Sequence, residues 1–343
     1  MSATLKQQKN NYKYIDLIKL IACLLVVFYH FSSSLLAANL INESPFYNFF
    51  VQTVNTFHVP LFFVCSGFLY QNSNRVHNLK SWKSNIIRKF IDLGVPYFTF
   101  STITFLLKTI FESSVNTPIK GYWNILFLNP TSPYWYLYTL FFIFLITPCF
   151  KSKKGALLLL LLSLCFKIFN IIISLNNIEV PYMITSVSGN LIWFSLGIAF
   201  FFFSEDIKKM KIKFSAALFV LALIISVIFY HSENSSAILK FIIGLTYVLS
   251  IYSGTLYFNN KIPNYISKVK EYTMPVYLMH TIFAAGLRIV LLKLGVDNII
   301  IHILFGIIGS IIVPVIIYEI AKATKLLLIF FNPTKTIKNL RKA

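Results

Sequence analysis

Apolar runs, each close to the ~20 residues that an α-helix needs to cross a bilayer, alternate with short polar segments along the whole chain. They predict about ten spans, near 14–37, 46–70, 86–111, 134–150, 155–175, 185–204, 214–231, 238–258, 272–293 and 299–323. No segment between them is long enough for a soluble domain. The longest, 112–133, carries Pro118, Gly121, Pro130 and Pro133, and is expected to fold back as a cap. The expectation is one all-α polytopic membrane domain over residues 1–343, with a tail at 1–13 and a basic tail at 324–343.

The polar segments are not equivalent. Lysines and arginines crowd alternate ones: Lys6, Lys9 and Lys13; then Arg75, Lys80 and Lys83; and so on to Lys335, Lys338, Arg341 and Lys342. The intervening segments 38–45, 112–133, 176–184, 232–237 and 294–298 hold only Lys120. Basic loops stay in the cytoplasm, so both termini are expected there, with an even number of spans. The first run contains Lys19 and exceeds the 7–15 apolar residues of a signal peptide, so it is read as a retained span.

Composition strengthens this picture. The 343 residues are 57% hydrophobic and only 12% charged, with 35 Phe, against about 25% charged in soluble proteins. Lipid is the natural solvent for the surplus apolar surface. The net charge of +20 does not imply nucleic acid, because the lysines cluster between apolar runs rather than along one soluble face. Cys23, Cys65, Cys149 and Cys165 lie in apolar segments at no metal-ligand spacing. They are expected to pack as buried thiols, without disulfides or a metal.

Candidate chemistry lies in the polar residues of the spans. A charge at a span's centre costs roughly 2.5–3.5 kcal/mol on insertion scales. At a span's edge a lysine can snorkel to the interface, which is the reading for Lys108, Lys167, Lys240 and Lys293. In the first span Lys19 and His30 are about 16 Å apart along nearly one helix face. Asp16, three residues before Lys19, is placed to pair with it. In the second span, "FHVPLFFVCSGFLY" sets His58 beside Pro60, which interrupts helix hydrogen bonding, and Ser66-Gly67 permit a close approach. At the start of the third, Arg88 and Asp92 are spaced to pair, and Arg88 with Lys89 could receive an anionic ligand. Trp135, with Tyr134, Tyr136 and Tyr138, is expected at the outer interface as an aromatic belt or a sugar-stacking platform. In the ninth span Tyr277 and His280 share a face. Arg288, His302 and Glu319 remain as possible cavity lining.

These segments, in this order, resemble the bacterial acyltransferase-3 family of integral membrane acyltransferases. The carriers of the resemblance are "YIDLIKLIACLLVVFYHFSSS", "VPLFFVCSGFLY", "RKFIDLGVPYF", "YWYLYTLFFIFLITP" and "MPVYLMHTIF", and it covers nearly the whole chain. The first span has lysine where the family usually has arginine, and Tyr134 stands where a histidine is frequent. The resemblance implies about ten helices in the bacterial plasma membrane. It implies transfer of an acyl group, usually acetyl, from cytoplasmic acyl-CoA to a surface polysaccharide or its lipid-linked precursor. It makes His30 the essential histidine, with Lys19 its basic partner and Asp16 beside them. Ser66, Gly67 and His280 become cavity landmarks, and Arg88 helps receive the coenzyme. In the chemistry expected from these residues, Lys19 and Arg88 hold the CoA phosphates. His30 acts as general base or as an acylated relay, and Trp135 and Tyr136 contact the glycan. The membrane histidines also fit a proton relay, so a proton-coupled exporter of a glycan intermediate or small acid is the alternative.

Overall fold

The computed structural model describes residues 12–38, 40, 44–114, 120–232, 236–325 and 327–340. Lys6, Lys9, Pro118, Arg341 and Lys342 lie outside the described residues. The first span is α1 (Lys13–Ala37). The second divides into α2 (Pro45–Asn55) and α3 (His58–Ser73), and the third into α4 (Leu79–Lys89) and α5 (Val95–Ile110). Then follow α6 (Trp135–Ile146), α7 (Lys153–Leu175), α8 (Tyr182–Lys208), α9 (Ile212–His231), α10 (Ala237–Tyr257), α11 (Thr273–Lys293), α12 (Ile299–Thr324) and α13 (Pro333–Leu340).

Among the described residues, nine helical stretches are long and apolar enough to cross a membrane. The expected fourth span is shorter: α6 has 12 residues, about 18 Å of helix against a hydrocarbon core of about 30 Å. Polar bonds at both its ends hold it in place. Trp82 Nε1 donates to Leu145 O at 3.1 Å, and Tyr70 Oη to Thr147 O at 2.6 Å. Gln71 exchanges two bonds with the Phe150 backbone. At the other end, Tyr277 Oη donates to Pro133 O, and Tyr134 Oη to Leu278 O.

The third span starts earlier than expected, at Leu79, because the Asn78 side chain caps Ser81 N and Ser81 returns the bond. A π-helical turn at Phe90–Gly94 joins α4 to α5. It changes the register between Arg88 and Asp92, so the expected pair does not form; Arg88 Nη2 donates instead to Asn85 Oδ1 at 2.8 Å. The described part of the 112–133 segment folds back onto the bundle, where the carbonyls of Ile125 and Leu126 accept from Tyr97 Oη.

Helix α1 packs on α3, α10, α11 and α12; the most enclosed span is α8. The crossing of α3 with α8 is backbone-close. A Cβ built on Gly67 would meet the Phe194 carbonyl, and one on Gly197 the Val64 carbonyl. Gly67 is therefore required by this crossing. The outward faces carry exposed Leu, Ile and Phe along most spans, the surface that lipid covers. Cys165, expected buried, lies on such a face of α7; Cys23 and Cys65 are buried and Cys149 is half-buried.

Candidate functional site

Two regions collect the polar side chains: a near end, where α1 begins, and the far half of the bundle, where it stops. Lys19 is at the near end. Asp16 does not pair with it; Asp16 Oδ2 accepts from Lys270 Nζ at 2.8 Å and from Ser267 Oγ at 2.9 Å. The residues from 266 onward fold across the start of α1, and that contact captures the carboxylate. Lys19 is left within electrostatic range of Asp16, Lys270 and Lys89. Lys89 is also in range of Asp92 and Arg75, and its Nζ sits 3.9 Å from the centre of the Phe144 ring. The near end is therefore a cluster in which Lys19, Lys89, Lys270 and Arg75 outnumber Asp16 and Asp92, with Asp16 already bonded to Lys270, and it suits an anion such as a phosphate.

The far half holds three histidines from three helices. α2 stops at Asn55 and α3 restarts at His58. Pro60 has no N–H for the Thr56 carbonyl, which turns toward α10, where a Cβ on Gly244 would stand 2.5 Å from it. His58 spans this break with Nδ1 2.7 Å from Val54 O. On α11, His280 Nδ1 lies 2.8 Å from Tyr277 O and 3.1 Å from Val276 O. A carbonyl only accepts, so Nδ1 carries the proton in both neutral rings and Nε2 presents a lone pair. His280 Nε2 is buried without a hydrogen-bond partner among the described residues. The His30 ring centre is 5.2 Å from that of His280, and Tyr29, the residue before it, stacks on His58 at 4.7 Å. The His280 and His30 rings are neighbours, with no hydrogen bond between them.

His30 also borders two cavities. The first, about 820 Å³, includes Tyr29, His58, Trp135, Asn190, Lys167 and Lys240 in its lining. The second, about 710 Å³, is mostly apolar and includes Arg288, Lys108 and Thr281. His30, Ser33 and Ser132 line both. Lys167 and Lys240 thus face a cavity, where the sequence suggested snorkelling anchors.

The expected aromatic belt is not one. Tyr134 and Tyr136 are buried. Tyr136 Oη lies 2.9 Å from Ser66 Oγ, and its ring packs against Phe63 and Tyr277. Of this group only Trp135 lines the first cavity. The bond to Tyr136 also engages Ser66. Tyr277 stands 6.2 Å from His280, ring to ring. Arg288 Nη1 donates to Ser34 O and Oγ at 2.8 and 2.5 Å. His302 bonds the Val296 carbonyl, and Glu319 bonds Tyr272 and Lys322.

The structure therefore brings His30, His58, His280, Tyr277 and Trp135 together in the far half. It sets Lys19, Lys89 and Asp16 apart at the near end. Tyr29, Ser33, Ser132, Asn190 and Trp193 border the site without having been singled out; only Ser33, one helical turn after His30, carries a positional signal. Among the described residues no group of three or more His, Cys, Asp or Glu is placed to hold a metal ion.

A family model described as an acyltransferase domain matches residues 12–319. Neither a curated protein nor a solved structure matches the chain.

Proposed function

Since this chain belongs to the acyltransferase-3 family, a family of membrane acyltransferases, we propose that it is an O-acyltransferase of the bacterial plasma membrane. It moves acetyl from cytoplasmic acetyl-CoA to a hydroxyl of a surface glycan or its lipid-linked precursor. The observation that carries the reading is the position of His30, in the shared wall of two cavities and about 16 Å along α1 from the basic cluster at Lys19. The lysine-rich segments support a cytoplasmic near end. Lys19 and Lys89 take the phosphates of the coenzyme there, with Arg88 and Arg75 at the mouth. The pantetheine arm runs along α1 toward His30.

The acceptor hydroxyl gives its proton to His30 as its oxygen attacks the thioester carbonyl. The C–O bond forms, the C–S bond breaks, and the departing thiolate takes the proton from the imidazolium. His280 packs beside the His30 ring and offers its Nε2 as an acceptor when the His30 imidazolium forms. An acylated His30 would serve as a relay by the same atoms in two steps.

Inside-out membrane vesicles test this. Radiolabelled acetyl-CoA is supplied outside, and label in glycan and free CoA are followed for wild type and for His30→Ala at equal abundance. Label transfer that disappears in the variant is expected. Full transfer by His30→Ala overturns the role of His30. Absence of acyl-CoA turnover, with uptake that follows a proton gradient, overturns the enzyme and favours an exporter.

A further inference from the structure

The first cavity has a charge character that the transfer chemistry does not use. Lys167 sits in the interior of α7, eight residues before the helix ends. Its Nζ gives one hydrogen bond to Gly189 O at 3.1 Å and stands 5.6 Å from the Phe241 ring centre. Lys240, in the first turn of α10, has its Nζ 5.8 Å from the Phe229 ring centre. Both line the cavity that reaches His30. Among the described residues no carboxylate belongs to that lining, and neither lysine has an ion-pair partner. A lysine held at membrane depth is costly unless a counter-charge meets it. The polar partner of Lys167 among the described residues is a carbonyl, which leaves two N–H groups to point elsewhere.

The rest of the lining indicates what carries the counter-charge. Trp135 lines it with a half-buried indole and Trp193 with a buried one packed on Phe241, and Gln52, Asn55 and Asn190 offer amide donors and acceptors. Flat aromatic faces with amides suit the apolar faces and hydroxyls of a sugar ring. About 820 Å³ is within the range of small-molecule sites, ~300–1,000 Å³, and holds a short oligosaccharide. A neutral sugar would leave the Lys167 ammonium uncompensated.

We propose that this cavity is the acceptor site and that it selects a glycan bearing an acidic group, a carboxylate or a phosphate. Lys167 and Lys240 bind the acidic group while a hydroxyl of the same glycan reaches His30. The assignment rests on the transferase reading given above, but its test needs no acyl donor, so the two fail separately.

The full chain, held in nanodiscs of phosphatidylcholine, is titrated by tryptophan fluorescence, since Trp135 and Trp193 line the site. The probes are a tetrasaccharide containing glucuronate, its carboxyl-reduced neutral form, and a glycerol-phosphate oligomer. At least one acidic probe is expected to bind saturably and at least tenfold more tightly than the neutral form. Lys167→Gln erases the difference, Lys167→Arg keeps it, and Lys240→Gln reduces it several-fold. Equal binding of acidic and neutral probes overturns the proposal. So does the absence of saturable binding by both acidic probes, or an unchanged preference in Lys167→Gln when the variant melts like wild type. Loss of acidic-probe binding in nanodiscs of phosphatidylglycerol, through competition, assigns the cavity to a lipid headgroup and overturns the glycan assignment.

Discussion

The His280 ring lies 5.2 Å from the His30 ring with its Nδ1 tied to the Tyr277 carbonyl, so its Nε2 is left as a buried acceptor without a partner among the described residues. His280→Phe removes that acceptor without removing His30. It is expected to lower acyl transfer by about 10–100-fold, the size of a hydrogen bond made by the His30 imidazolium during transfer, ~1.5–3 kcal/mol. The KM for acyl-CoA should stay near wild type. A His280→Phe enzyme with unchanged kcat removes that role.

Lys19 acts at the other end of α1, on binding rather than chemistry. Lys19→Gln is expected to raise the KM for acyl-CoA about tenfold with a smaller change in kcat, and to weaken the dependence of that KM on salt, because a phosphate partner has been lost. Asp16→Asn should move the same KM downward, since it removes the negative charge beside the cluster. Initial rates in vesicles at two ionic strengths check both.

The tyrosine and the tryptophan at the start of α6 separate by function. Tyr136→Phe loses the bond to Ser66 and is expected to lower thermal stability by about 1 kcal/mol with acceptor affinity unchanged. Trp135→Ala is expected to weaken acceptor binding several-fold, in line with ~0.5–1.5 kcal/mol for an aromatic contact. Thermal melting of the purified protein, beside acceptor titration, distinguishes the two.

Gly67→Ala and Gly197→Ala press on the same crossing of α3 with α8. Each is expected to destabilise by about 1–3 kcal/mol or more, because the atom met is backbone and cannot swing away. The double variant should cost less than the sum, since one separation of the helices relieves both. Melting temperatures of the three variants measure this directly.

Much of this molecule is legible along the chain because a membrane imposes a simple rule. Apolar runs of span length become spans, and nine do so, with the third beginning seven residues ahead of its expected start. His30 and Lys19 stand out for the same reason, as polar groups in hydrocarbon. What the sequence hides is which way a side chain faces. Lys167 fits a lipid anchor and a cavity wall equally well on spacing alone. Tyr134 and Tyr136 look like an interfacial belt, but an aromatic run reads the same at an interface and in a core. The partner of Asp16 is 254 residues away, beyond any local spacing rule. The lost pairing of Arg88 with Asp92 depends on a π turn that leaves no distinct residue pattern.

The shortness of α6 bears on how the protein is made. A 12-residue helix is a poor stop for an insertion channel, which sorts segments by the length and hydrophobicity they present. Its near end meets Tyr70, Gln71 and Trp82, which have already been synthesised when it emerges. Its far end waits for Tyr277 and Leu278, more than a hundred residues later. The helix is therefore secured at one end during early synthesis and at the other only when α11 arrives, at the step that also delivers His280. A ribosome that stopped after α10 would leave a chain with most of its spans, no completed site and the far end of α6 unclasped.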